Sequence, residues 1–147
     1  GEFATVYLAE SYWRAGDHER AECTLREVVD VTERHAMQFI AASARRLLAE
    51  VLLTLPSAGT VHDAARLTEA QSHLNSARQT LAALGAGVEF AAACAASGRA
   101  SELENKAAEA RTWYSRALEH FNSLSMPPEG ARIQGILELL NSKNKIG

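Results

Sequence analysis

Three times along the chain a large apolar residue is followed directly by Ala. A second apolar-position residue comes three places later, and a helix breaker four beyond that. The segments run Leu8-Ala9 to Tyr12 and Gly16, Leu48-Ala49 to Leu52 and Pro56, and Phe90-Ala91 to Cys94 and Gly98. After each comes a second pattern: Ala21-x3-Leu25-x2-Val28, Ala70-x3-Leu74-x2-Ala77 and Ala110-x3-Tyr114-x2-Ala117. Offsets of four and seven place three residues on one stripe of a helix. A small residue at the head of that stripe lets a neighbouring helix approach closely. Recurrence of such a pattern is the mark of repeated two-helix units, none of which buries its own apolar face.

The punctuation agrees. Gly and Pro fall at Gly16, Pro56 with Gly59, Gly85 with Gly87, Gly98, and Pro127-Pro128 with Gly130. The stretches between them have helical spacing. Helices are expected over about 3–15, 18–33, 35–54, 62–84, 87–97, 101–124 and 128–141, with a polar tail over 142–147 that frays. Asp17 is expected to cap the second helix. Thr60 with Asp63 and Ser101 with Glu104 have capping-box spacing before the fourth and sixth. Pro127 and Pro128 suit the first turn of the seventh. No period-2 run of β-branched residues occurs. With 28 Ala against 7 Val and 4 Ile, the expected class is all-α, with residues 1–141 forming one helical-repeat domain. The start at Gly1-Glu2-Phe3, without Met and within a helical pattern, reads as a piece of a longer protein or as a cloning scar.

The two-helix pattern resembles the tetratricopeptide repeat (TPR) family. Leu8, Ala9, Tyr12, Gly16, Ala21, Leu25 and Val28 stand where that motif wants them. The later hairpins depart from it. From the small Ala of the first helix to that of the second is 12 residues in the first hairpin, 21 in the second and 19 in the third. In the third, the interval from Gly98 to Ala110 exceeds that from Gly16 to Ala21 by seven residues. Two helical turns of extra length extend a helix with little rotation of its stripe. The ending Ser125-Met126-Pro127-Pro128-Glu129-Gly130-Ala131-Arg132 is similar to that of the helical arms of large bacterial signalling ATPases and nucleotide-cyclase regulators. The resemblance implies a right-handed α-solenoid of three hairpins with the seventh helix as cap. It also implies a non-enzymatic scaffold that binds a protein or peptide partner on the concave face.

Chemistry-bearing patterns are few. The net charge of −3 gives no global attraction to nucleic acid or to an anionic membrane. No apolar run reaches the roughly 20 residues that span a bilayer. Cys23 and Cys94 lack CxxC or CxxH spacing, so no zinc set is recognisable, and both read as buried small apolar residues of a reduced, cytoplasmic protein. His18, His35, His62, His73 and His120 show no i, i+4 His pair and read as solvated or locally bonded. Gly85-Ala86-Gly87 reads as a turn. Glu102 with Glu104 and Glu27 with Asp30 read as solvated faces. The 12 Arg and 3 Lys alternate with acids, as in Glu19 with Arg20, Arg26 with Glu27 and Glu33 with Arg34, an ion-pair surface. Neither catalytic residue, cofactor nor metal is expected.

In the TPR family the first helix of each hairpin lines the groove. That register puts Val6, Glu10, Trp13 and Arg14 on it from the first hairpin, Arg46, Glu50 and Leu53 from the second, and Val88, Ala92 and Ala95 from the third. Trp13 has two readings: an anchor for the partner, or a packing contact with the next hairpin. Arg14 and Arg46 would hold a carboxylate, though the Asn and Lys of the family's full clamp are missing. Ala92, Ala95 and Ala96 would form a smooth wall for an apolar helix. An exposed edge on the first helix would favour pairing with a second copy. Two other functions compete: a ligand-sensing helical domain, and a structural or oligomerisation arm without a groove ligand.

Overall fold

The computed structural model describes residues 1–54 and 61–146. Among these all regular structure is helical, in seven α-helices: α1 (Glu2–Arg14), α2 (His18–Arg34), α3 (Gln38–Leu53), α4 (Val61–Ala83), α5 (Gly87–Leu103), α6 (Ala107–Ser123) and α7 (Pro127–Ile146). No described helix is long and apolar enough to cross a membrane.

One turn closes four of these helices. In α1 the Gly16 N–H donates to Trp13 O and the Asp17 N–H to Tyr12 O, at 3.0 and 2.8 Å, with Gly16 at φ 87°. This is the Schellman closure, in which a left-handed residue lets the last carbonyls find donors. The same pair of bonds ends α2 through Ala36, α5 through Asn105 and α6 through Ser125, all at positive φ. Left-handed residues thus stand at 16 and 36, and again at 85, 105 and 125, twenty residues apart within each run. Asp17 then caps α2 by accepting from the Arg20 N–H at 3.2 Å, as expected.

Ala36 has no functional group to favour a left-handed backbone, which costs a non-glycine residue roughly 1–2 kcal/mol. Ala36→Gly is expected to raise the stability of the first unit by about 1 kcal/mol, read as a higher urea midpoint at unchanged slope. A lower midpoint would mean that the Ala36 methyl makes packing contacts that outweigh the backbone strain.

The chain forms two compact units, Gly1–Leu84 and Gly85–Gly147. In the first, α1 packs on α2 and touches α3, and α3 lies against both α2 and α4. The central place of α3 explains its composition. Ala41, Ala42, Ala44, Leu47, Leu48, Ala49, Val51, Leu52 and Leu53 are all buried, because a helix packed on neighbours to both sides needs a broad apolar surface. Helix α1 has one side free, so Leu8 is 48% exposed where its counterpart Leu48 is buried. On α4 the buried stripe is Ala70, Leu74, Ala77 and Leu81.

In the second unit α6 packs against both α5 and α7. Its core joins Ala91, Cys94 and Ala95 to Ala110, Tyr114, Ala117 and Phe121, and to Ile133, Leu137 and Leu140. The six small residues of the repeat, Ala9, Ala21, Ala49, Ala70, Ala91 and Ala110, are each 0% exposed. The register read from the sequence is therefore that of the cores.

Several boundaries move. Gly98 does not end a helix: α5 continues to Leu103 and α6 begins at Ala107. Ser101 is consequently no N-cap but a buried residue inside α5, its hydroxyl without a partner. The seven extra residues of the third hairpin lie in its first helix. Ala110 follows Asn105 by five positions, just as Ala21 follows Gly16. Gly98 is needed for another reason: a Cβ there would sit 2.8 Å from the Tyr114 ring. Helix α3 starts at Gln38, because His35-Ala36-Met37 form the turn, and α7 spans Pro127–Ile146. Thr60, and with it the capping box to Asp63, lies outside the described residues, as does the His62 side chain.

Candidate interaction surface

The residues expected on a groove divide between the units. On α1, Val6 and Trp13 are half-buried. Glu10 and Arg14 pair with each other at 2.7 Å. On α3, Arg46 and Glu50 form a largely covered pair at 2.5 Å. Each guanidinium that would clamp a partner's carboxylate already holds one from its own helix at i, i+4 spacing. Leu53 is 3% exposed. It belongs to the core because α3 packs against both α2 and α4, and it offers a partner no surface. On α5 of the second unit, Val88 is 46% exposed and Ala92 half-buried. Ala95 and Ala96 are buried, Ala95 within the cluster that faces α6, so the smooth wall reduces to Ala92.

Exposed aromatic surface occurs elsewhere on α1. Phe3 and Tyr7, one turn apart, are both exposed, and the Phe3 ring lies 6.0 Å from that of Phe39 on α3. Their i, i+4 spacing was visible in the sequence, but the TPR register points to a different face.

Of the two thiols, Cys94 is buried as expected and Cys23 is exposed. Cys23 stands two residues from Ala21, which turns it by about 200° to the far side of α2. The ion pairs also differ from the sequence reading. Neighbours in sequence do not face each other on a helix, so Arg20 pairs with Asp17, Arg34 with Asp30 and Arg26 with Glu22.

The most developed polar arrangement lies in the first unit and joins three helices. Arg66 of α4 reaches Glu22 of α2 at 2.6 Å. Glu22 also accepts from Arg26 at 3.2 Å, and Arg26 forks onto Glu69 of α4 at 2.6 and 3.1 Å. Glu69 meets His73 Nε2 at 3.0 Å, His73 Nδ1 meets Arg45 Nη1 of α3 at 2.8 Å, and Arg45 binds Glu33 of α2. The Arg26 guanidinium, with a smaller contribution from His73, holds the Glu69 carboxyl down at about 2 against burial that opposes it. Burial lowers His73 below its ordinary value, and Arg45 and Arg26 push the same way against Glu69.

Glu33 and Arg45 also stand at a cleft of about 500 Å³ between the C-terminal parts of α2 and α4 and the start of α3. Thr32, Met37, Ser76 and Thr80 are among its walls. The Thr32 hydroxyl is buried and donates to Val28 O at 2.6 Å, which leaves those of Ser76 and Thr80 to hydrogen-bond a small polar molecule. The Glu69–His73 and Glu22–Arg26 steps have i, i+4 spacing and were legible in the sequence. The links from Arg26 to Glu69 and from Arg66 to Glu22 span more than forty residues and were not. No group of three metal-ligating side chains occurs among the described residues.

Comparison with family models, curated proteins and solved structures finds no match to the chain.

Proposed function

We propose that the chain is a TPR-like interaction module, a section of a right-handed α-solenoid within a multidomain bacterial regulator. In this reading it works in the cytoplasm, performs no chemistry and positions a protein or peptide partner along its first helices. The observation that carries the reading is the complete burial of Ala9, Ala21, Ala49, Ala70, Ala91 and Ala110. Close-contact methyls at matching places in successive hairpins are what a repeat scaffold requires. The packing order in the first unit supports it too, with α3 between α2 and α4 and also touching α1. Trp13, half-buried on α1 with one side available, serves as the anchor for the partner. A second reading, ligand sensing, is favoured by the cleft beside Arg45.

The test is affinity capture with the chain and with Trp13→Ala side by side. Loss of an aromatic anchor costs about 2 kcal/mol, so a partner identified with the parent chain is expected to bind the variant about 30-fold more weakly. Far-UV circular dichroism and melting temperature should stay close to those of the parent. Equal binding by both, or a collapse of helical content in the variant, would place Trp13 in the packing and remove it from the interface.

A further inference from the structure

We propose that His73 is an acid-operated latch: its neutral ring ties α3 to the ion chain between α2 and α4, and its protonation releases Arg45 from that chain.

The hydrogen-bond chemistry leaves little choice of ring form. A guanidinium only donates, so His73 Nδ1, 2.8 Å from Arg45 Nη1, must be the acceptor. The ring proton then sits on Nε2 and is donated to Glu69 Oε2 at 3.0 Å. In this state one neutral ring satisfies a cation on α3 and an anion on α4. Adding a proton to Nδ1 places an N–H against an N–H and a second positive charge beside Arg45.

Every charged group facing the ring bears on the outcome. From α3 comes Arg45. From α2 come Arg26, which already forks onto Glu69, and further off Glu22 and Glu33. From α4 come Glu69 itself and Arg66. Glu69 is the one carboxylate in contact with the ring, and it is shared with Arg26. The protonated ring therefore keeps Glu69 and loses Arg45, which retains Glu33 at the mouth of the cleft. Helix α3 then keeps its pair with Glu33 of α2 but loses its tie to Glu69 of α4 through the ring, while the contacts between α2 and α4 persist. Geometry and burial both resist the proton, so the latch opens below the ordinary histidine range.

The sign follows from linkage. A histidine whose folded value lies below its unfolded one adds stability that is fully present above about pH 6.5. That stability drains away as the pH falls from there to the folded value. The Glu69 contribution is lost only in a lower window, from about 4.5 down to about 2.

The decisive measurement is the ring NMR of His73 in the full chain, with the Arg45 side-chain N–H signal followed across the same titration. The expected result is the Nε2–H tautomer, a midpoint below 6.5, and faster solvent exchange of the Arg45 signal at that midpoint. The opposite tautomer, a midpoint of 6.5 or above, or an Arg45 signal indifferent to the titration overturns the proposal. A second arm uses His73→Gln, which keeps an acceptor for Arg45 and a donor for Glu69 but does not titrate. Between pH 7.5 and 5.5 the parent chain should lose more melting temperature than the variant does. Equal losses would also overturn it.

Discussion

Gly98→Val is expected to destabilise the second unit by about 2–3 kcal/mol, among the larger effects available to a single residue in this chain. A Cβ at Gly98 falls 2.8 Å from Cδ1, Cε1 and Cζ of Tyr114, closer than carbon atoms tolerate. The ring has nowhere to go. It is buried in the cluster with Ala91, Cys94, Ala110 and Phe121, and its hydroxyl donates to Glu102 Oε1 at 2.5 Å. Gly98→Ala should be milder, because replacing Gly within a helix recovers up to about 1 kcal/mol of the loss. Trp113, next to Tyr114 on α6, reports the unfolding by fluorescence in a Trp13→Phe background, which leaves one Trp in the chain. Pairing Gly98→Val with Tyr114→Leu should recover about 1–2 kcal/mol beyond additivity. A neutral Gly98→Val, or strict additivity of the pair, would mean that α5 and α6 do not approach at this point.

Ala70→Leu is expected to cost about 1–3 kcal/mol, and Ala110→Leu the same. Both methyls are wholly excluded from solvent, and Ala70 heads a stripe with Leu74, Ala77 and Leu81 that is equally closed. Three added carbons at such a point force the helices apart or a side chain off its rotamer. Ala65→Leu, on the exposed side of α4, serves as the control and should stay within about 0.5 kcal/mol of the parent. Urea midpoints for the three variants decide the matter. If Ala70→Leu behaves like the control, the contact register is misplaced.

Helix number, the Asp17 cap and the close-contact alanines are all legible in the sequence. Gly98 shows where such reading fails. Gly is both the commonest helix stop and the residue of closest approach, and spacing alone does not tell the two apart. The real stop, Asn105, is the polar residue most tolerant of a left-handed backbone, yet it stands within a run of charged and polar residues that also fits a helix. Ala36 and Ser125 are less legible still, since neither residue type favours the left-handed region. The first-helix register assigns Leu53 and Ala95 to a groove. The packing of α3 against both α2 and α4, and the facing residues of α6, put both in the cores.

The spacing of apolar and small residues settles that the chain is helical and which small residues head the buried stripes, because a period of 3.6 is a property of the backbone and needs no partner. Which charges meet is a different matter. Arg26 with Glu69, Arg45 with Glu33, and the lodging of His73 between a guanidinium and a carboxylate arise only when α2, α3 and α4 lie side by side. Electrostatic contacts depend on distances of a few ångströms between residues far apart in sequence, and only the packing of the helices sets those distances.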